Sequence, residues 1–174
     1  MLPLFWELVM TEYDIKDLLP HSGQMLLIDR VVDWGDDWLV AEVDIQADSL
    51  FVEGGYLDAL VVIEYMAQTV AALAGIRAKN SDRPIQIGML LGTRKYACSH
   101  DRIAINTTVK VHVKELFVEE NGLGVFSCEA TAGEVHLNCQ LNVYHPPETQ
   151  SNNDDAVDIN EHELEQEHGD NKHG

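Results

Sequence analysis

One stretch of this chain dictates most of what it can become. Over 59–79 the apolar residues Leu60, Val61, Val62, Ile63, Met66, Ala67, Val70, Ala71, Leu73 and Ala74 fall nearly all round a helix. A helix that is apolar on every side has no face to offer to water, so it must be enclosed by other elements. At roughly 1.5 Å per residue it would run about 30 Å, the width of a small domain. Asp58 stands where an N-cap belongs, and a carboxylate there suits the positive end of the helix dipole. Glu64, Gln68 and Thr69 interrupt the run, which makes it a poor membrane span.

The segments on either side supply what encloses it. Over 38–46, Leu39, Ala41, Val43 and Ile45 alternate with Glu42, Asp44 and Gln46, the two-residue period of a half-buried strand. Strands are also expected at 25–34, 85–98, 106–118, 124–131 and 135–144, the last alternating most cleanly. Asn121-Gly122 and Ala132-Gly133 mark hairpin turns. Asp14 caps a short helix at 15–19 that Pro20 stops, and 48–58, with Gly54-Gly55, reads as a loop. Two strands, one buried helix and four more strands pack most simply as an α+β domain, an antiparallel sheet wrapped around the helix.

Length and composition fit one such domain. The chain has 174 residues, of which 45% are hydrophobic. Residues 1–10 read as an N-terminal extension without the basic start and cleavage site of a signal peptide. Residues 11–147 form the domain. From 148 to 174 the chain holds nine acidic residues against Lys172 and has no periodicity, so a disordered acidic tail is expected. Cys98, Cys128 and Cys139 form no C-x-x-C pair, which suits reduced thiols in a cytoplasmic protein. No metal-ligand spacing occurs in the domain, and no cofactor is called for.

The net charge of −19 argues against nucleic acid as a partner, because phosphate contacts need clustered Lys and Arg. The charge is uneven, however. In the window 77–102, Arg77, Lys79, Arg83, Arg94, Lys95 and Arg102 face only Asp82 and Asp101. Such an island can dock an acidic partner, or it can be scattered solvated charge.

Two motifs carry a resemblance over most of 14–144. Leu19-Pro20-His21 with Met25-Leu26-Leu27-Ile28-Asp29-Arg30-Val31 resembles the entrance motif of FabZ-type 3-hydroxyacyl-acyl-carrier-protein dehydratases. Ile63-Glu64-Tyr65-Met66-Ala67-Gln68 is similar to the signature of their central helix. The wording Glu-Tyr-Met-Ala-Gln, followed by Gly92-Thr93-Arg94-Lys95-Tyr96, looks closest to the dehydratase-like proteins of aryl polyene biosynthesis, the ApeP group. The resemblance implies a hot-dog fold and the removal of water from 3-hydroxyacyl thioesters held by acyl carrier protein. It implies a dimer, either of two identical chains or with a paralogous hot-dog dehydratase, whose sites draw base and acid from different chains.

In that chemistry a histidine abstracts the proton beside the carbonyl, an acid on the helix assists loss of the hydroxyl, and a backbone N–H polarises the thioester carbonyl. The matching acid is Glu64, whose apolar surroundings would favour the protonated form. The matching N–H belongs to Ala59. The resemblance further places Met25, Met66, Leu90 and Gln68 at the substrate tunnel, with ordinary core as the equal alternative for the three apolar residues, and the basic window at its mouth, facing the acidic carrier protein. The family's catalytic histidine stands about fourteen residues before the acid, which here is Leu50, and 50–58 contains no histidine.

Three readings answer that gap. His21 can serve as the base, although the family also carries a structural histidine in this motif. A histidine-bearing paralogue can complete a composite site to which this chain lends Glu64. Or the chain has lost catalysis and supports an active partner. The composite site is favoured, since an ionisable group within an apolar helix costs stability unless it is satisfied or used. The bland alternative is a Glu64 that merely hydrogen-bonds Gln68 or the backbone. An acyl thioesterase, with Glu64, Gln68 and Thr69 positioning water, is the enzymatic rival.

Overall fold

A computed structural model describes residues 13–146 of the chain. The extension expected at 1–10 and the tail expected at 148–174 lie outside them. Nine strands and one long helix follow in the order β1 (Arg30–Trp34), β2 (Trp38–Ile45), β3 (Val52–Glu53), β4 (Tyr56–Asp58), α1 (Val62–Asn80), β5 (Met89–Cys98), β6 (Arg102–Ala104), β7 (Thr107–Val118), β8 (Leu123–Ala132) and β9 (Val135–Tyr144). Six strands form the main sheet in the order β1-β2-β7-β8-β9-β5, and β3-β4-β6 form a small second sheet. Every pairing is antiparallel. The main sheet curls around α1, which lies against β2, β7 and β8. This is the wrapped sheet expected from the enclosed helix, and the hot-dog arrangement that the resemblance implies.

The core is the meeting of α1 with one face of each strand. Leu39, Ala41, Val43 and Ile45 of β2 are buried, as their alternation predicts. So are Val109, Val111 and Val113 of β7, and Leu137, Cys139 and Leu141 of β9. Met66, Leu73 and Ile76 fill the space from the helix side. Cys128 of β8 sits directly opposite Cys139 of β9, and both are buried, free thiols. Their mutual hydrogen bond, together with burial, pushes the Cys128 thiol up. The helix Ala59–Asn80 is long and apolar enough to cross a membrane, but here most of its surface is covered by the sheet.

At its N-terminus the helix is entered through a 3-10 turn, Ala59–Val61, and the Asp58 carboxylate accepts from the Leu60 N–H at 2.8 Å. At its far end Gly75 lies so close to the turn after Ile15–Asp17 that a Cβ there would collide with the Leu18 carbonyl. The segment 48–58, expected as a loop, is largely a tight hairpin. Gly54 and Gly55 have φ of 59° and 83°, the left-handed pair that joins β3 to β4 in two residues. β4 then pairs with β6 and seats this hairpin beside the start of α1.

Candidate functional site

The site is built where the entrance segment crosses the first two turns of α1. Gln68, 1% exposed, points its amide at that segment. Its Oε1 accepts from the Leu27 N–H at 2.9 Å, and its Nε2 donates to the Met25 carbonyl at 2.8 Å. The same Nε2 donates to Glu64 Oε1 at 3.1 Å, one helical turn earlier. One buried amide thus clamps the Met25–Leu27 backbone to the helix and holds the carboxylate of Glu64. Because the clamp takes these backbone groups, 25–29 does not enter the sheet and the expected strand begins only at Arg30.

Glu64 is half-buried: the carboxyl is neither sealed in the core nor freely solvated. Its hydrogen bond is the one to Gln68 that the bland alternative required. His21 is also half-buried, and its Nδ1 is enclosed without a hydrogen-bond partner among the described residues. No hydrogen bond joins it to Glu64. Leu50, where the resemblance led a base to be expected, packs partly against the core, and Phe51 beside it is exposed with φ of 70°. Tyr65 offers no substitute base. It is 2% exposed, and burial, followed by the charge of Asp29, pushes its hydroxyl up to about 12.

Several expected roles meet a different geometry. The Ala59 N–H donates to the Asp101 carbonyl at 2.9 Å and the residue is buried, so this donor is already committed and cannot polarise a thioester as the chain stands. Met66 is fully buried with its sulfur 3.5 Å from Cys139 Sγ, which makes it core rather than tunnel wall. Met25 and Leu90 are exposed, Leu90 on the edge strand β5. A tunnel lined by these residues is therefore not formed within one chain.

The basic window also divides. Arg77 bonds the Asp36 carbonyl and pairs with Glu115, and Lys79 pairs with Asp17 at 3.3 Å. These two and Arg83 belong to the C-terminal end of α1. Arg102, opposite Asp58 across β4 and β6, is at the N-terminal end, a helix length of roughly 27 Å away. Arg94 and Lys95 are exposed on β5. Sequence proximity had merged what the helix separates.

A cavity of about 210 Å³, absent from the expectations, opens at the C-terminal end of α1 among Val70, Ala74, Arg77, Phe126, Val143 and His145. Burial holds His145 below the ordinary histidine range. Its signal in the sequence was only the small residues Ala74, Ala78, Gly122 and Gly124, which leave room between helix and sheet. Among the described residues no group of three or more His, Cys, Asp or Glu side chains could hold a metal ion.

Comparison with known proteins adds to this geometry. A family model described as ApeP-like, ApeP dehydratase, matches residues 13–154. The 3-hydroxyacyl-acyl-carrier-protein dehydratase FabZ of Acinetobacter baylyi is 26% identical over 137 residues, 75% of this chain and 91% of the relative. A chain of the dehydratase heterocomplex ApeI:P from Xenorhabdus doucetiae has a TM-score of 0.72 at 27% identity, covering 78% of this chain and 93% of that one. A Pseudomonas aeruginosa thioesterase, at 13% identity and a TM-score of 0.51 over 70% of this chain and 82% of that one, shares the fold alone.

Proposed function

Since the chain belongs to the ApeP-like dehydratase family, we propose that it is the supporting subunit of a heteromeric hot-dog dehydratase acting on 3-hydroxyacyl groups carried by acyl carrier protein. The observation that carries this reading is the pairing of two facts: 50–58 holds no histidine, and the Glu64 carboxylate already accepts a hydrogen bond from Gln68. With no histidine in that segment, and with His21 not hydrogen-bonded to Glu64, the chain has half of the machinery that the dehydration needs. A similar solved chain comes from a dehydratase heterocomplex, which supports a second, paralogous chain as the partner; in this reading that chain brings the histidine.

The surface for that partner is the edge of the main sheet. β5 leaves one row of backbone groups unpaired, and Met89, Leu90 and Leu91 on it, with Ile87 just before it, expose apolar side chains. An exposed apolar edge strand invites another strand. Arg94 and Lys95, farther along β5, are the carrier-protein contacts that remain available in this reading. A cytoplasmic setting belongs to the same proposal, in keeping with three free thiols.

A second reading keeps Glu64 in the chemistry. Its carboxyl is half-buried rather than sealed, and Gln68 would hold it in one orientation for a substrate lying across the dimer. Co-expression with a histidine-bearing paralogue separates the two. A supporting subunit is inactive alone, and Glu64→Gln in it leaves kcat of the complex unchanged. A composite site loses about 10²- to 10⁴-fold in kcat, the usual worth of a positioned acid. Dehydration by this chain alone would overturn both readings, as would release of free thiol from a saturated acyl thioester, which marks a thioesterase.

A further inference from the structure

Two thiols face each other within the main sheet and take part in neither reading above. Cys128 of β8 and Cys139 of β9 are directly opposite in the antiparallel ladder. They are 0% and 4% exposed, so both side chains lie on the enclosed face of the sheet. Directly opposed residues on antiparallel strands have Cα atoms about 4.5 or 5.5 Å apart, according to their place in the hydrogen-bond pattern. A disulfide spans about 4.4–6.8 Å between Cα atoms, so the backbone accepts one here without rearrangement.

A hydrogen bond joins the two thiols and acts on them in opposite senses. It pushes the Cys128 thiol up and holds the Cys139 thiol below its ordinary range, the latter with help from the Thr93 hydroxyl. The thiolate is the attacking form of cysteine, so the pair divides into an attacking sulfur and a resolving thiol. Cys139 Sγ also lies 3.5 Å from Met66 Sδ, on α1 between Glu64 and Gln68. Beyond β9 the sheet has only its edge strand β5, and the ladder between them is interrupted at Leu90–Gly92 and at Arg94–Ala97. An edge held in this way opens before the centre of the sheet does, which gives a small oxidant a route to Cys139.

We propose that Cys128 and Cys139 form a redox-modification site, which a peroxide converts to a disulfide stapling β8 to β9 and a dithiol reductant reopens. The Cys139 sulfur attacks a peroxide oxygen, the O–O bond breaks, and the thiol proton leaves in a molecule of water. Cys128 then attacks the resulting sulfenic sulfur, the S–O bond breaks, and a second water departs. The thiols together lose two electrons, and the peroxide is reduced to water. Drawing Cys139 Sγ to bonding distance of Cys128 moves it off Met66, so oxidation is felt on the helix beside Glu64 and Gln68. In a reducing compartment a disulfide of this kind is transient and senses oxidant rather than holding the fold.

The full-length chain carrying Cys98→Ser tests this, since it keeps the pair and removes the third cysteine, and serine retains the donor that Cys98 offers to the His100 carbonyl. After treatment with hydrogen peroxide and alkylation in denaturant, neither thiol is expected to take up label, and the mass is expected to fall by that of two hydrogens. Cleavage after Glu129 and Glu134 puts the cysteines on separate fragments, which the crosslink is expected to hold together. Dithiothreitol is expected to restore both thiols, and the Met66 methyl signal to shift on oxidation and return on reduction. The unsubstituted chain is expected to behave alike but to keep the Cys98 thiol or its oxidised form outside the crosslink. Two thiols that still take up label in the folded, peroxide-treated chain overturn the proposal. So does oxygen added to Cys139 or Met66 without a crosslink, or a crosslink found only between separate chains.

Discussion

Gln68 is where polarity in an apolar helix turns into structure. Its single amide satisfies a buried N–H, a carbonyl and a carboxylate at once. Leucine at this position would keep the volume and remove every partner. A buried group left without a partner costs about 1–3 kcal/mol, and the Leu27 N–H and the Met25 carbonyl would both lose theirs. Gln68→Leu is therefore expected to destabilise the domain by about 2–4 kcal/mol in urea denaturation. A cost below about 1 kcal/mol would mean that water replaces the amide and the entrance segment is not clamped. Glu64 and Gln68 were legible in the sequence because a polar residue within an apolar helix needs a partner one turn away. The Ala59 N–H was not, because its acceptor, Asp101, lies 42 residues away and comes close only through β4 and β6.

Elements were legible in proportion to their length. β9 was expected at 135–144 and is found at those bounds, since ten alternating residues leave one register that buries Leu137, Cys139 and Leu141. β3, β4 and β6 have two or three residues each, too few for any period, and only Gly54-Gly55 hinted at the hairpin. β5 starts four residues later than expected, and its first three residues are exposed, so no single chain explains its apolar side chains. The β1–β2 pair carries its own electrostatic prediction. Arg30 on β1 forks to Glu42 and Asp44 on β2. Its guanidinium, with help from Thr108, holds the Asp44 carboxyl below the ordinary aspartate range. A carboxylate depressed in the folded state stabilises the fold above its unfolded pKa of about 3.9, and the contribution fades as pH falls through the lower folded value. Arg30→Met is expected to raise the Asp44 midpoint in a carbon-detected NMR titration and to narrow the acid range over which this strand pair stays folded. An unmoved midpoint would mean that the fork is not populated in solution.

At the scale of the whole molecule, the domain is closed on one side and open on the other. α1 covers β2, β7 and β8 on the inner face of the sheet, while β5 leaves an apolar edge and the hairpin and helix start expose Phe51, Tyr56 and Leu60. Apolar surface of this kind contributes to stability only when something covers it, at roughly 25 cal/mol per Å² buried. If a hot-dog paralogue covers it, the stability of this chain becomes a function of that partner's concentration, because a ligand that binds only the folded state adds RT ln(1 + [L]/Kd). At a partner concentration one hundred times Kd the gain is about 2.7 kcal/mol. For a domain of this size that corresponds to a rise of roughly 5–10 °C in Tm. Leu91→Glu should abolish the rise and leave the Tm of the isolated chain unchanged, because that side chain is exposed there and replaces no core contact. A Tm that ignores the partner in the parent, or a Leu91→Glu chain that still responds to it, would move the interface away from β5. The first result would also remove the heteromeric premise on which the proposed supporting role rests.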